Sequence, residues 1–276
     1  MDEQATNEKI LSGRNFMRAR WSDEEIISDQ MKQLPQPPLV KAPMGGERMS
    51  LPRDFKRLPF TQDILQVLTA RKSSRVYTHE PVALLAFSFL LWAQQGIKSV
   101  RGKSYATLRT VACGGARHEF ELYIAVMNVE GLKPGLYHYL PMTHELELLG
   151  EAEAAQLGAM AGSALADQPW CARGAAVFFY SVVPYRAEWR YSSNAHRVAL
   201  IDAGHITQNL YVACSALNKV GTCAIAALDG EACDAMFGLD GQEEFIFYAA
   251  ALGSISPNDQ EKEDLFYAFL KDEEED

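Results

Sequence analysis

The sequence predicts an α+β domain in which one sheet is flanked by helices. Three observations carry that expectation. Helix-period and strand-type apolar patterns follow one another along the chain instead of segregating into halves. Two β-type runs are separated only by Pro141-Met142-Thr143-His144, which signals a hairpin. The stretch 175–183 is continuously apolar, as in a strand covered on both faces.

The elements follow in chain order. Residues 1–58 read as an N-terminal extended arm. Pro35, Pro37, Pro38, Pro43 and Pro52, with Gly45-Gly46 between them, disfavour both a helix and a central strand. Such an arm is either a disordered leader or a segment draped over a partner subunit. The domain itself spans 59–256. Its first helix runs over 61–70, with Thr61 as N-cap and Ile64, Leu65 and Leu68 on one face. A strongly apolar helix covers 81–95 and ends at Gly96. A β-rich run over 121–129 leads through Gly131 and the Pro134-Gly135 turn into the hairpin strands 136–140 and 145–149. After the buried strand 175–183, the longest helix occupies 195–218, where Ile206, Leu210, Ala213 and Leu217 are spaced four, three and four. Strands over 222–228 and 245–252 close the domain, and 257–276 is an acidic C-terminal tail.

Composition excludes several classes. The 276 residues are 48% hydrophobic and 22% charged, which is neither a disordered nor a fibrous composition. The formal net charge of −10 is local: from Glu231 onward there are 14 acidic and 2 basic residues. A net-negative chain argues against a dedicated nucleic-acid binder, although a small basic pocket remains compatible with it. The best apolar run, Val82–Trp92, is about half of the ~20 residues a membrane helix needs. The opening Met1-Asp2-Glu3-Gln4 lacks the basic and apolar regions of a signal peptide. Five cysteines without a Cys-x-x-Cys pair indicate neither a disulfide framework nor a zinc ribbon, so a cytoplasmic location is expected.

Three constellations could carry chemistry. Arg71-Lys72-Ser73-Ser74-Arg75 follows a helix; three cations and two hydroxyls can surround a phosphate, or simply complement the helix-end carbonyls. Ala112-Cys113-Gly114-Gly115 precedes a β-run; paired glycines let backbone approach a flat ligand, or merely form a turn. Cys113 has no base beside it in sequence, so it is a nucleophile only if the fold supplies one, and otherwise a packed thiol. The third is Trp189-Arg190-Tyr191, followed by His196, Arg197, Asp202 and His205; the last two are three apart and can share a helix face. No G-x-G-x-x-G or P-loop, no His-x-x-x-His, no paired Glu-x-x-His and no Gly-x-Ser-x-Gly occurs. Rossmann-type nucleotide binding, metal hydrolysis and serine hydrolysis therefore lack support, and no metal site is expected.

Taken in order, these features resemble the nitroreductase (FMN-dependent oxidoreductase) superfamily. Arg71 to Arg75 after a helix is similar to its opening signature. Leu108-Arg109-Thr110-Val111-Ala112-Cys113-Gly114-Gly115-Ala116-Arg117-His118-Glu119 and Val129-Glu130-Gly131-Leu132-Lys133-Pro134-Gly135-Leu136-Tyr137-His138-Tyr139 resemble the SagB-type dehydrogenase branch, which includes azoline oxidases. Asp202-Ala203-Gly204-His205 with Gln208-Asn209-Leu210, and 224–229, extend the likeness to roughly 28–253. The resemblance implies a nitroreductase-like mixed sheet flanked by helices, an intertwined homodimer, and FMN between subunits. Arg71, Lys72, Ser73 and Arg75 would hold the phosphate and ribityl chain. Ala112, Cys113, Gly114 and Gly115 would run beside the ring, and Ala226 and Ala227 would offer backbone donors.

Tyr191 would then be the proton donor and Arg190 the anchor for substrate charge, with hydride coming from NAD(P)H or from the small-molecule or peptide substrate itself. Departures from the family pattern are Ala112-Cys113 for Pro-Ser, Ala226 for a glycine, Arg190-Tyr191 for the Lys-Tyr pair of azoline oxidases, and Asn194 for an arginine. An arginine stays protonated and cannot act as a lysine base. These departures leave open two other readings on the same fold: a non-catalytic dimeric scaffold or flavin-binding partner, and a flavin-consuming or dehalogenating enzyme.

Overall fold

The computed structural model describes residues 3–18 and 27–266. The chain opens with α1 (Glu3–Met17), β1 (Glu47–Ser50), α2 (Ile64–Ala70) and α3 (Leu84–Gln95). A small hairpin of β2 (Ile97–Arg101) and β3 (Ala106–Arg109) leads to β4 (Phe120–Val126), β5 (Gly135–Leu140), β6 (Glu145–Glu151) and α4 (Ala154–Ala164). Then come β7 (Ala176–Val182), α5 (Pro184–Tyr191), α6 (Ala195–Leu217), β8 (Val220–Ile225), α7 (Gly230–Phe237), β9 (Phe245–Ser254) and α8 (Pro257–Phe266).

Seven strands form the main sheet in the order β1-β6-β5-β4-β7-β9-β8. The α+β class expected from the sequence is therefore the observed one. All of the sheet's strand pairings are antiparallel, and the parallel contact is an isolated bridge between Val82 and Val129. The hairpin joins β5 and β6 as expected, with Leu140 opposite Glu145 and His144 at φ +60 in the turn.

Continuous apolar strands here mean two covered faces. Phe120, Leu122, Ile124 and Val126 of β4, and Phe178 and Tyr180 of β7, pack into the core beneath α3 and α6. The alternate residues Tyr123, Ala125, Val177 and Phe179 pack on the other side with Leu157 and Ala161 of α4 and Cys233 and Phe237 of α7. That alternation is the period-two geometry of a strand, with each side chain facing opposite to its neighbour. On α6, Ile206, Leu210, Ala213 and Leu217 are all buried in the first core, as their spacing requires.

Several local expectations shift. The helix expected from Thr61 starts at Ile64, because Asp63 accepts from Leu65 N–H (2.9 Å) and Gln66 N–H (3.4 Å) and is the true cap. Thr61 instead donates its backbone N–H to Ala216. The apolar face of α2 points outward: Ile64 is 63%, Leu65 71% and Leu68 53% exposed, while Val67 is buried. Gly96 ends α3 without a left-handed φ; its missing side chain makes room for Trp92, whose ring and carbonyl a Cβ would overlap. The segment read as a tail begins with α8, where Pro257 suits the first helical position, and 267–276 lie outside the described residues.

The arm region is held by its own chain. Lys41 N–H donates to Glu121 Oε1 (2.8 Å), and Gly45 and Gly46 N–H donate to Glu147 Oε1 (2.7 and 2.8 Å). Arg109 Nη2 donates to the Leu39 carbonyl (2.9 Å) and Trp189 Nε1 to that of Leu34 (3.0 Å). β1 then joins the sheet edge beside β6, so the sheet already begins within the stretch read as an arm. A proline-rich stretch can take this path because its backbone is bound mainly by side chains and an edge strand rather than by a central ladder.

Candidate functional site

Helix α6 is the spine of the candidate site. Asp202 and Tyr211 lie nine residues apart on it, a rise of about 13.5 Å, and each gathers a different group of the residues singled out in the sequence.

At Asp202 the glycine loop docks. Gly114 N–H donates to Asp202 Oδ2 (2.8 Å). Gly115 sits at φ +54, a left-handed conformation that glycine adopts without cost. A Cβ there would lie 2.5 Å from Arg190 Nε and 2.6 Å from the Tyr191 hydroxyl, so these two side chains press directly on the loop backbone. Ala112 is exposed at the loop's start. Cys113, Gly114, Gly115, Arg190 and Tyr191, separated by more than seventy positions in sequence, thus form one surface. The helix that delivers Arg190 and Tyr191, α5, starts at Pro184, which is preorganised for that position.

Arg190 Nη1 also donates to Gln30 Oε1 (3.1 Å) and to the Tyr105 hydroxyl (3.0 Å), and Gln30 Nε2 donates to the same hydroxyl (3.2 Å). The hydrogen bond from Gln30, with the charges of Arg190 and Arg117, lowers the Tyr105 phenol from its ordinary value. Gln30 and Tyr105 were not legible as site residues; a single glutamine and a hairpin-turn tyrosine carry no pattern. Cys113 is not a poised nucleophile. Its thiol donates to Glu119 Oε2 (3.3 Å), accepts from His118 N–H (3.0 Å), and is pushed far up by burial and by the Glu119 and Asp202 carboxyls.

At Tyr211 the basic cluster docks. The Arg71 guanidinium lies over the Tyr211 ring at 5.5 Å, and the Ser73 hydroxyl is 2.9 Å from the Tyr211 hydroxyl. That hydroxyl accepts from Ala224 N–H of β8 (2.9 Å), which leaves its own proton able to satisfy Ser73 and the serine O–H able to donate outward. Arg75 lies over the Trp170 ring at 5.9 Å. Lys72 and Ser74 line a cleft of about 230 Å³ together with Tyr211, Cys214, Ser215 and Gly221. Arg71 and Ser73 thus contact Tyr211 directly, and Lys72 borders the cleft that Tyr211 also lines. Ala226 and Ala227 lie exposed in the loop after β8. Tyr211 is a site residue that the sequence did not single out, because a lone tyrosine beside the core positions Leu210 and Ala213 carries no pattern of its own.

The donor set fits the phosphate end of a flavin mononucleotide. The Arg71 guanidinium, the Ser73 hydroxyl and the Lys72 ammonium around Tyr211 match a phosphate monoester, and the glycine loop gives a close backbone approach for a flat ring. Asp202 and His205 do pair, at 3.3 Å between Oδ1 and Nδ1, but Asp202 is at the same time the anchor of Gly114.

Comparison with known proteins shows the family and the fold. The family model described as the Nitroreductase family matches residues 68–254. A protein of Methanocaldococcus jannaschii that carries the nitroreductase name is 28% identical over 173 residues, covering 62% of this chain and 83% of that one. Among solved structures, a nitroreductase-named protein of Ralstonia eutropha superposes with a TM-score of 0.59 at 20% identity, over 81% of this chain and 95% of its own. The Escherichia coli microcin synthetase McbBCD complex, with truncated pro-MccB17 bound, contains a chain that superposes with a TM-score of 0.58 at 14% identity, over 93% and 95%. These two superpositions show a shared fold. Among the described residues, no helix is long and apolar enough to cross a membrane.

Proposed function

The chain belongs to the nitroreductase family, a family of oxidoreductases, and from that premise we propose that it is an FMN-dependent oxidoreductase of the SagB-type branch that works as a homodimer. The observation that carries this reading is the convergence of Arg71 and Ser73 on Tyr211, beside the end of β8. In this reading Arg71, Ser73 and Arg75 bind the phosphate, with Lys72 nearby. The Ala112–Gly115 loop and the Ala226-Ala227 backbone border the ring. When bound, FMN supplies two-electron transfer through N5, and the protein supplies position and electrostatics. Tyr191, held against Gly115, donates a proton to the reacting substrate, and Arg190 orients substrate anionic charge. NAD(P)H or the substrate is the hydride source.

A small-molecule or peptide substrate fits the branch, and the likeness to a chain of the peptide-bound microcin synthetase complex supports the peptide class. The outward apolar face of α2 supports the dimer. Ile64, Leu65 and Leu68 form a patch of the kind that a second subunit covers.

The test is the colour of the protein. The variant Arg71→Ala/Arg75→Ala is expected to lose bound flavin on purification while keeping its far-ultraviolet circular dichroism. Undiminished flavin in that variant would overturn the assignment. A second reading, a dimeric partner without catalysis, is favoured by one observation: Arg190 is already engaged by Gln30 and Tyr105. Flavin bands that bleach with NADPH support the enzyme; a colourless dimer that refuses added FMN supports the partner protein.

A further inference from the structure

We propose that Cys113, Glu119 and Asp202 form a site for one divalent transition-metal ion of the zinc type, buried under the Gly114–Gly115 turn. The inference is independent of the flavin reading. One ligand atom from each of the three residues lies within 4.8 Å of the others. The Cys113 Sγ to Glu119 Oε2 separation is 3.3 Å. Tetrahedral zinc, with bonds of about 2.3 Å to sulfur and 2.0 Å to oxygen, sets that edge at about 3.5 Å.

Glu119 supplies an observation of a different kind. The residue is fully buried at 0% exposure, and its Oε1 has no hydrogen-bond partner. A buried, unpaired carboxylate oxygen is costly, and a cation removes that cost. Asp202 is oriented by outer contacts, with Gly114 N–H on Oδ2 (2.8 Å) and His205 Nδ1 near Oδ1 (3.3 Å). Such contacts fix metal ligands in place.

The neighbouring guanidiniums are engaged elsewhere. Arg109 donates to Thr107, Gln95 and the Leu39 carbonyl; Arg117 donates to the Gly115 and Tyr105 carbonyls; Arg186 donates to Glu121 and the His118 carbonyl. No guanidinium among these contacts reaches the cluster. A dication would take the place of the Cys113 thiol proton as it binds. The donor set selects the ion class: one thiolate with two carboxylates suits zinc, whereas calcium and magnesium take all-oxygen shells. Cys113 is only partly buried, which gives the ion a route from solvent and an open fourth position.

The experiment is a cobalt titration of the full-length, chelator-stripped protein under reducing conditions, followed by difference absorption. One equivalent of Co²⁺ is expected to produce a thiolate-to-cobalt charge-transfer band, and Zn²⁺ is expected to abolish it. Cys113→Ser should lose that band, and Glu119→Gln should keep it while weakening affinity by about tenfold or more. Absence of a charge-transfer band in the wild-type protein would overturn the site. So would an undiminished band in Cys113→Ser, which would assign binding to another of the free cysteines. A proton shared between Glu119 and Asp202 in place of an ion would show itself as no cobalt binding at all, and would equally refute the proposal.

Discussion

Replacing Glu121 by glutamine removes a charge while keeping the two hydrogen bonds at Oε1. Glu121 Oε1 accepts from Arg186 Nη1 (2.6 Å) and from Lys41 N–H (2.8 Å), and Oε2 faces His138 Nε2 (3.4 Å). A glutamine oxygen in the Oε1 position keeps the first two bonds. What disappears is the counter-charge to Arg186, whose side chain is 5% exposed, and to Arg109, which burial already lowers to about 10 and which Glu121 holds up. At 2.6 Å the bare attraction is about 6 kcal/mol at an effective dielectric of about 20. Desolvation offsets part of this, and breaking a buried pair on one side costs about 3–5 kcal/mol. Glu121→Gln is therefore expected to lose about 3 kcal/mol in urea unfolding, and Arg186→Met a similar amount. The double variant should recover at least about 2 kcal/mol relative to the sum of the two. Additive losses, or single losses below about 1 kcal/mol, would refute the reasoning. The Arg186 guanidinium holds Glu121 far below the usual carboxylate range against its own burial. Its contribution is thus complete above the unfolded value of 4.5 and is lost as pH falls below it.

Two further outcomes are expected. Burial, with Arg53 nearby, lowers His144 from 6.5 to about 4, and its ring bridges the Ser88 and Tyr139 hydroxyls at 2.8 and 2.7 Å. The unfolded chain binds that proton first, so stability from this group is full above pH 6.5 and falls toward about 4, by up to about 3 kcal/mol. In the same window His118, lowered by burial and Arg109 to about 3, and Glu119, raised to about 7, act in opposite directions, so His144→Gln should remove most of the slope of urea midpoint against pH between about 4.5 and 6.5. An unchanged slope would remove His144 from this role. Gly96→Ala should cost about 1–3 kcal/mol by thermal melting, although Gly96 has an ordinary φ of −60, because its Cβ would overlap Trp92. A melting point equal to wild type would show that Trp92 moves aside freely.

The sequence by itself determined the elements whose signal is local. The four-three-four spacing on α6 and the unbroken apolar run of β7 are written in adjacent residues, and burial on one stripe or on two faces follows from helical and strand periods alone. Eight-residue α5 is too short, and small-residue α4 too weakly patterned, to stand alone, and they form because α6 and the sheet, respectively, give them something to cover. Which way a face points was decided only by tertiary structure. Ile64, Leu65 and Leu68 read as core residues and emerge on the surface, because the core contact of α2 is made by Val67. The meeting of Arg71, Ser73 and Lys72 with Tyr211, and of Cys113 and Glu119 with Asp202 across more than eighty positions, likewise depends on where α6 lies against two loops. No local pattern encodes such meetings, since side-chain direction is local but the partner in space is chosen by packing of the whole chain.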